Sequence, residues 1–272
     1  MSPENKLSNK NDRGAWLQGP AVRCDVASES DQTPWRLVLL GAPGVGKGTQ
    51  AELLHQHLGA CHLSTGDVFR AAGRLPECQL SLAMKAALEC MRRGELVPDS
   101  TVWEMVRERL GCLRCGGGFI LDGFPRTLTQ AESLQRLLNS EGIDVSAVVS
   151  YELPFSEIVA RLGGRRTCEK CKSVYHVTER PSKISGRCDH CEGNLFQRED
   201  DRPESIKVRL EAYERSTAPL IDFYARRGLL ARVEATGSPH AIYERTVAKI
   251  ESLRFKGFAN KLWAAAENRR DT

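Results

Sequence analysis

The stretch Gly41-Ala42-Pro43-Gly44-Val45-Gly46-Lys47-Gly48-Thr49 lies directly after the apolar run Leu37–Leu40 and directly before a helical pattern. Glycines at these intervals let successive N–H groups curl toward one anion, and the helix N-terminus behind them adds partial positive charge. Lys47 extends over the same cradle toward the outer phosphates of a nucleotide. The general pattern puts Ser or Thr immediately after the lysine, whereas here Gly48 intervenes before Thr49. A plain glycine turn with a solvated lysine is the alternative, and the strand before and helix after weigh against it. This is the chemistry of a nucleotide-phosphate site.

Two further sets of residues fit that chemistry. Asp122-Gly123-Phe124-Pro125-Arg126-Thr127 follows the third apolar run, so Asp122 is placed to hold magnesium, directly or through water, with Arg126 in the same crevice. Arg161, Arg165, Arg166, Arg198 and Arg209 fall on or beside a cysteine-bearing segment. Phosphoryl transfer needs charge stabilisation over several oxygens, a task for which guanidinium forks suit better than ammonium groups. For each arginine alone the alternative is a solvated charge or a surface ion pair; taken singly that alternative prevails for Arg166 and stays open for Arg209.

Cys168-Glu169-Lys170-Cys171 and Cys188-Asp189-His190-Cys191 form two knuckles, each with thiols two residues apart. Four thiolates at this spacing suit a closed tetrahedral zinc site, which has no open position for water and is therefore structural. The segment offers few large apolar residues (Val174, Tyr175, Ile184, Leu195, Phe196), so a metal supplies stability that packing cannot. The alternatives are two redox pairs, or a zinc ribbon that grips nucleic acid. A third pair, Cys112 and Cys115, lacks a partner pair and reads as a loop with incidental thiols, with a redox or metal role as its alternative. Cys24, Cys61, Cys78 and Cys90 are scattered singly and read as packing residues.

These residues need a frame that brings them together. Leu37–Leu40, His62–Ser64, Phe119–Asp122, Val145–Leu153 and Leu229–Val233 read as strands. Gln50–Leu58, Leu80–Arg93, Thr101–Leu110 and Gln130–Asn139 read as helices from their apolar spacing, with Pro98-Asp99-Ser100 as a helix start. Alternation of the two predicts an α/β fold, a parallel five-stranded sheet covered by helices on both faces. Residues 35–63, 98–160 and 202–253 form that core on this reading. Residues 64–97, helical, and residues 161–201, rich in cysteine and charge, are insertions of the kind a hinged, closing enzyme carries.

The chain has 272 residues, 41% hydrophobic and 27% charged, with a formal net charge of +4, which is ordinary for a soluble globule and does not argue for nucleic acid. No apolar stretch approaches a membrane span. Residues 1–34 lack a secretory apolar core and carry Glu4, Asp12, Asp25, Glu29 and Asp31, so they read as a polar, disordered extension. Ten cysteines without a secretory signal point to a reducing, cytoplasmic setting. In residues 254–272, Phe255, Phe258, Leu262 and Trp263 share one possible helical face, away from Lys256, Lys261, Arg269 and Arg270. That segment reads as a continuation of the last helix docked on the core, with a partner- or membrane-facing helix as the alternative.

Taken together, the motifs resemble those of adenylate kinases, in the long form whose lid carries zinc. The resemblance runs from about Arg36 to Leu253. It is carried by Gly41–Gln50, Ser64–Asp67, Gly94–Val97, Gly118–Arg126, Gly164–Arg166, the four lid cysteines and Arg198–Asp201, and the Gly48-Thr49 order is the form that family uses. It implies a phosphate-loop fold with an AMP-binding helical insert and a zinc-binding lid, and the reaction ATP + AMP ⇌ 2 ADP with Mg²⁺. It implies that Gly44, Val45, Gly46, Lys47, Gly48 and Thr49 hold ATP phosphates, and that Arg126, Arg165, Arg198 and Arg209 clamp the transferring group. Arg161, Val174, Tyr175 and Gly237 would border ATP. Thr65, Arg70, Glu95, Leu96, Val97, Gly123, Phe124, Pro125, Arg126, Gln130, Arg198 and Arg209 would form the AMP site. The resemblance also implies a monomer whose partners are small nucleotides, without nucleic acid or membrane. Arg74–Gln79 reads as a longer AMP-side insert than usual, and Val233–Gly237 departs from the usual acidic-glycine pair. A kinase with a CMP, UMP or GMP acceptor and a non-catalytic binding module are the competing readings.

Overall fold

The computed structural model of the chain describes residues 16–17, 33–76, 78 and 80–267, with side chains as far as residue 255. Eight strands form among them: β1 (Trp35–Gly41), β2 (Cys61–Ser64), β3 (Gly118–Asp122), β4 (Ala147–Glu152), β5 (Arg165–Cys168), β6 (Val174–His176), β7 (Leu195–Phe196) and β8 (Leu230–Glu234). Five make one parallel sheet in the order β2-β3-β1-β4-β8. All five strands expected from the apolar runs are present. Side chains alternate between two apolar clusters. Val38, Leu40, Phe119, Leu121 and Val148 pack on one face, and Leu37, Leu39, Ile120, Ala147 and Val149 on the other. Burial on both faces explains why these strands read as unbroken apolar runs.

Parallel pairing puts the C-terminal ends of the strands along one edge, where Leu39 pairs with Asp122, Ser64 with Asp122, and Gly41 with Tyr151. Gly41, Ser64 and Asp122 therefore deliver their following loops to one crevice. Helices start where the sequence supplies caps. Ser64 Oγ accepts from the Asp67 N–H (3.3 Å), Ser81 Oγ from Met84 (3.1 Å) and Thr127 Oγ1 from Gln130 (3.2 Å). The helix after the glycine turn begins at Lys47, earlier than its apolar spacing from Gln50 indicates, because Gly46 takes a left-handed φ of 99° as its N-cap.

The segment 165–196 forms a separate three-stranded antiparallel sheet in the order β6-β5-β7. At the amino end, the expectation of a disordered arm fails at one point. Trp16 is completely buried in the cluster that also holds Leu63, Val68 and Phe69. Apart from Leu17, the rest of the 1–34 extension before residue 33 lies outside the described residues, as do Glu77 and Gln79 of the Arg74–Gln79 insert. The last helix runs Pro239–Glu267, so the continuation expected from sequence is helical. Phe255 is nevertheless exposed rather than docked. The side chains of Lys256, Phe258, Lys261, Leu262 and Trp263, and Arg269 and Arg270 altogether, lie outside what is described.

Candidate active site

The glycine turn after β1 is shaped by backbone that only glycine adopts easily: φ is 137° at Gly41, 89° at Gly44 and 99° at Gly46. At Gly44 a Cβ would also sit 2.7 Å from the Leu162 side chain. The helix Lys47–Leu58 has no side-chain cap, unlike the helices that start after Ser64, Ser81 and Thr127. Its first N–H groups are thus left for an anion. Lys47 folds back over the turn and donates from Nζ to the carbonyls of Gly41 (2.6 Å) and Ala42 (2.9 Å).

Asp122 stands opposite. A Cβ on Gly48 would lie 3.6 Å from Asp122 Oδ2, so the carboxylate abuts the start of the Lys47 helix. Its Oδ2 is 3.4 Å from His62 Nε2. Burial raises the pKa of Asp122, but the His62 hydrogen bond and the charges of His62, Lys47 and Arg126 outweigh it and bring the carboxyl down to about 2. An ionised carboxylate at this point suits a hydrated magnesium ion.

Arginines from four separate elements converge on the same crevice. Arg126 donates from Nε to the Gly123 carbonyl (2.8 Å), and Arg198 from Nε to Thr167 Oγ1 (2.9 Å). Arg165 forks onto Asp201 (2.7 and 2.5 Å), and Arg209 reaches Asp201 (3.1 Å) and the Asp200 carboxylate (3.1 Å). Desolvation lowers Lys47 to about 8, with Arg126, Arg209 and Arg165 adding repulsion against the attraction of Asp122. Arg198 falls to about 9 through burial and then the charges of Arg165 and Arg70. Arg126 and Arg209 are lowered for the same reasons, burial first. Lys47, Arg126, Arg198 and Arg209 are thus held below their ordinary range by desolvation and then by neighbouring arginines, a crowding of positive charge whose balance calls for a polyanion.

Beside them, the Thr65 hydroxyl donates to the Gly123 carbonyl (2.9 Å), and Arg70 pairs with Asp67 (2.6 Å). Gly123 is tight: a Cβ there would meet Thr65 Oγ1 at 2.9 Å and Arg126 Nη2 at 3.0 Å. Phe124 is buried in the core, and the loop's end is fastened where Thr217 donates to the Arg126 carbonyl (2.9 Å). Gln130 is buried with both ends of its amide engaged. Its Oε1 accepts from the Arg126 N–H (2.8 Å) and its Nε2 donates to Asp99 (2.6 Å). Leu96 and Val97 are half-buried, and Glu95 pairs with Arg93 (2.8 Å) at the surface.

On the other side, Gln50 donates to the Pro239 carbonyl (2.8 Å), which draws the loop carrying Gly237 (φ 87°) to the first turn of the Lys47 helix. Arg161 lies on the helix Phe155–Gly164 that leads into the lid, and Val174 is half-buried in the lid sheet. Tyr175 points elsewhere. Its hydroxyl accepts from the Asp189 N–H (2.9 Å) and lies 3.5 Å from Cys188 Sγ, so the ring serves the cysteine cluster. Arg166 is occupied with the carbonyls of Gly163 and Arg165, in line with its reading as an uninvolved charge.

The four lid sulfurs lie within 4.8 Å of one another, with Cys168 to Cys191 at 3.5 Å and Cys171 to Cys188 at 3.4 Å. Zinc bonds of about 2.3 Å in a tetrahedron put sulfurs roughly 3.8 Å apart, so the donor set fits that ion. Each knuckle closes through a left-handed residue directly after its second cysteine, Lys172 (φ 64°) and Glu192 (φ 56°). Cys112 and Cys115 take no part. Cys112 is buried in the core, and Cys115 accepts a hydrogen bond from Cys61 that brings its thiol down to about 6.

Sequence reasoning placed His62 only on a strand, Asp99 only at a helix start and Asp200 and Asp201 only within a matching motif, and named none of them for the contacts they make with Asp122, Gln130, Arg165 and Arg209. The acidic run Glu199-Asp200-Asp201 directly after Arg198 was the available signal, since buried arginines need carboxylate partners.

The family model for adenylate kinase matches residues 39–229. A protein named adenylate kinase from Thermodesulfovibrio yellowstonii is 47% identical over 216 residues, covering 79% of this chain and 99% of its own length. One from Carboxydothermus hydrogenoformans is 47% identical over 208 residues (76% and 95%), and one from Acidothermus cellulolyticus 46% over 217 (79% and 97%). A five-stranded parallel sheet, an uncapped glycine-rich turn, converging arginines and a match across most of the chain agree: the chain belongs to the adenylate kinase family.

Proposed function

We propose that the protein transfers the γ-phosphoryl group of MgATP to AMP, giving two ADP, and the reverse. One observation supports this reading above the others. Lys47, Arg126, Arg165, Arg198 and Arg209 come from distant parts of the chain and crowd one cleft, where Lys47, Arg126, Arg198 and Arg209 are pushed below their ordinary range. ATP phosphates lie in the turn Gly44–Thr49, whose N–H groups face the crevice. Lys47 exchanges its carbonyl partners for phosphate oxygens. AMP lies against Thr65, Arg70, Glu95–Val97 and Gly123–Arg126. Gln130 meets the adenine edge with its second Nε2 N–H and the second lone pair of Oε1, while Asp99 and the Arg126 N–H hold the first of each and fix the amide's plane. Arg161, Val174 and Gly237 border the ATP base.

Asp122 would hold the magnesium ion that comes with ATP, and the ion would supply neutralisation of phosphate charge. The arginines stabilise the equatorial oxygens of the transferring group, while the closing lid excludes water that would otherwise accept it. We assign no general base among the described residues, so orientation and electrostatics carry the acceleration. Zinc on Cys168, Cys171, Cys188 and Cys191 holds the lid's shape and takes no part in the chemistry. Residues 64–97 and 161–201 are the two moving pieces on the 35–63, 98–160 and 202–253 core.

The described residues contain no helix long and apolar enough to cross a membrane, and none of the nine described cysteines is joined in a disulfide. We read the chain as a cytoplasmic monomer on that basis together with its composition. The test is a coupled assay of diphosphate formation with AMP, CMP, UMP and GMP side by side. Activity with AMP well above the other three is expected. Preference for another acceptor would reassign the substrate, and no product with any acceptor would reduce the protein to a binding module.

A further inference from the structure

The indole of Trp16 lies ahead of the family match, which begins at residue 39. It is fully buried, and its Nε1–H donates to the Ser64 carbonyl at 3.0 Å. Its own carbonyl accepts from Arg109 Nε at 2.6 Å, and the same guanidinium donates to Met105 O at 2.9 Å, with the Arg109 side chain almost wholly buried. Ser64 is no ordinary anchor point. It ends β2, pairs in register with Asp122, and caps the helix that carries Thr65 and Arg70. The next residue, Thr65, donates to Gly123 beside Arg126. A single N–H from the amino-terminal arm thus grips the peptide at which the acceptor-side helix leaves the sheet.

We propose that Trp16 is a positioning residue for the acceptor nucleotide: by fixing the Ser64–Thr65 peptide, it sets Thr65 and Arg70 at the place where AMP binds. The inference rests on the acceptor site described under Proposed function. The core end of the clasp is rigid, because Arg109 joins two helices, Asp99–Glu108 and Leu110–Leu113, and holds the arm's backbone as well. The indole spans from that junction to the sheet edge. Its contribution is therefore geometric, and it falls on the acceptor side alone, since the Lys47 turn and the lid are attached elsewhere.

Trp16→Phe in the full chain tests this. The ring stays buried while the Ser64 carbonyl loses the indole donor. The expected result is a KM for AMP raised roughly three- to tenfold, with KM for ATP and kcat changed by less than about twofold. Arg70→Ala serves as the control for the site itself and should also raise KM for AMP. If Arg70→Ala does so and Trp16→Phe does not, the positioning role is wrong. An equal rise in both KM values, or a lower melting temperature with unaltered kinetics, makes Trp16 a packing residue only and overturns the proposal. If Arg70→Ala leaves KM for AMP unmoved, the acceptor site is misplaced and the proposal falls with it. Should Trp16→Phe not fold, Arg109→Gln, which frees the Trp16 carbonyl but keeps the indole, is read against the same outcomes.

Discussion

The five-stranded sheet and the small sheet of residues 165–196 are held together by different physics. The first is sandwiched between two apolar clusters, with Leu37, Val38, Ile120, Leu121, Val148 and Val149 wholly removed from water. In the second, the buried residues packed together are Cys168, Tyr175 and Cys188, while Val177, Ile184 and Phe196 stay exposed. A piece stabilised by apolar packing against its neighbours cannot leave them without exposing that surface. One stabilised at a single point by four thiols can move as a unit. The tie from the core helix to the end of this segment is polar instead: Arg209 reaches both Asp200 and Asp201, while Arg165–Asp201 and Arg198–Thr167 brace the segment internally.

Four experiments break or sharpen this contrast. Lys47→Met removes the cation of the phosphate turn without disturbing either apolar cluster. Turnover should fall by about 10²- to 10³-fold with an unchanged melting temperature, as checked by steady-state assay and thermal unfolding. Near-normal turnover would contradict the site. Cys188→Ser, or chelation of the wild-type protein, should release about one equivalent of zinc and open residues 169–195 to protease while the sheet's circular dichroism persists. Unfolding of the whole chain together would instead show that lid and core share one cooperative unit.

Asp201→Asn leaves Arg165 and Arg209 without their shared buried carboxylate. Loss of about 3 kcal/mol is expected from denaturant unfolding, together with weaker turnover. If stability is unchanged, the lid's hinge does not depend on that pair. The smallest effect concerns pH. Lys47 in the nucleotide-free protein loses its proton near pH 8 rather than near 10.5. The protonated form is the one that meets phosphate, so kcat/KM for ATP should decline above about pH 8, while kcat, read with phosphates bound, stays level to higher pH. Between these pH values the unfolded state binds the proton and the folded state does not, so this group's contribution to stability rises with pH across that window. A kcat/KM profile flat to pH 9.5 would remove Lys47 from the phosphate contact.

The glycine turn, the four thiols and the five strand positions were legible before any fold was known, because each depends on neighbours a few residues away. Left-handed glycines, two-residue knuckles and unbroken apolar runs are local physical requirements. The helix at Lys47 was only partly legible, since its first turn is a glycine cap without apolar spacing. The direction of Tyr175 was not legible: strand position fixed that it alternates with Val174, but only the packed lid decided that its hydroxyl faces Cys188.

Sequence by itself determined which chemistry this chain carries, phosphate binding and a thiolate metal site, since those signals are written in contiguous residues. Tertiary structure alone decided who holds whom. Asp201 with Arg165, His62 with Asp122, Asp99 with Gln130, and Trp16 with Ser64 each join positions separated by another element or more. Such pairs arise from which strand ends and helix starts the sheet brings to one edge, and no spacing along the chain encodes that.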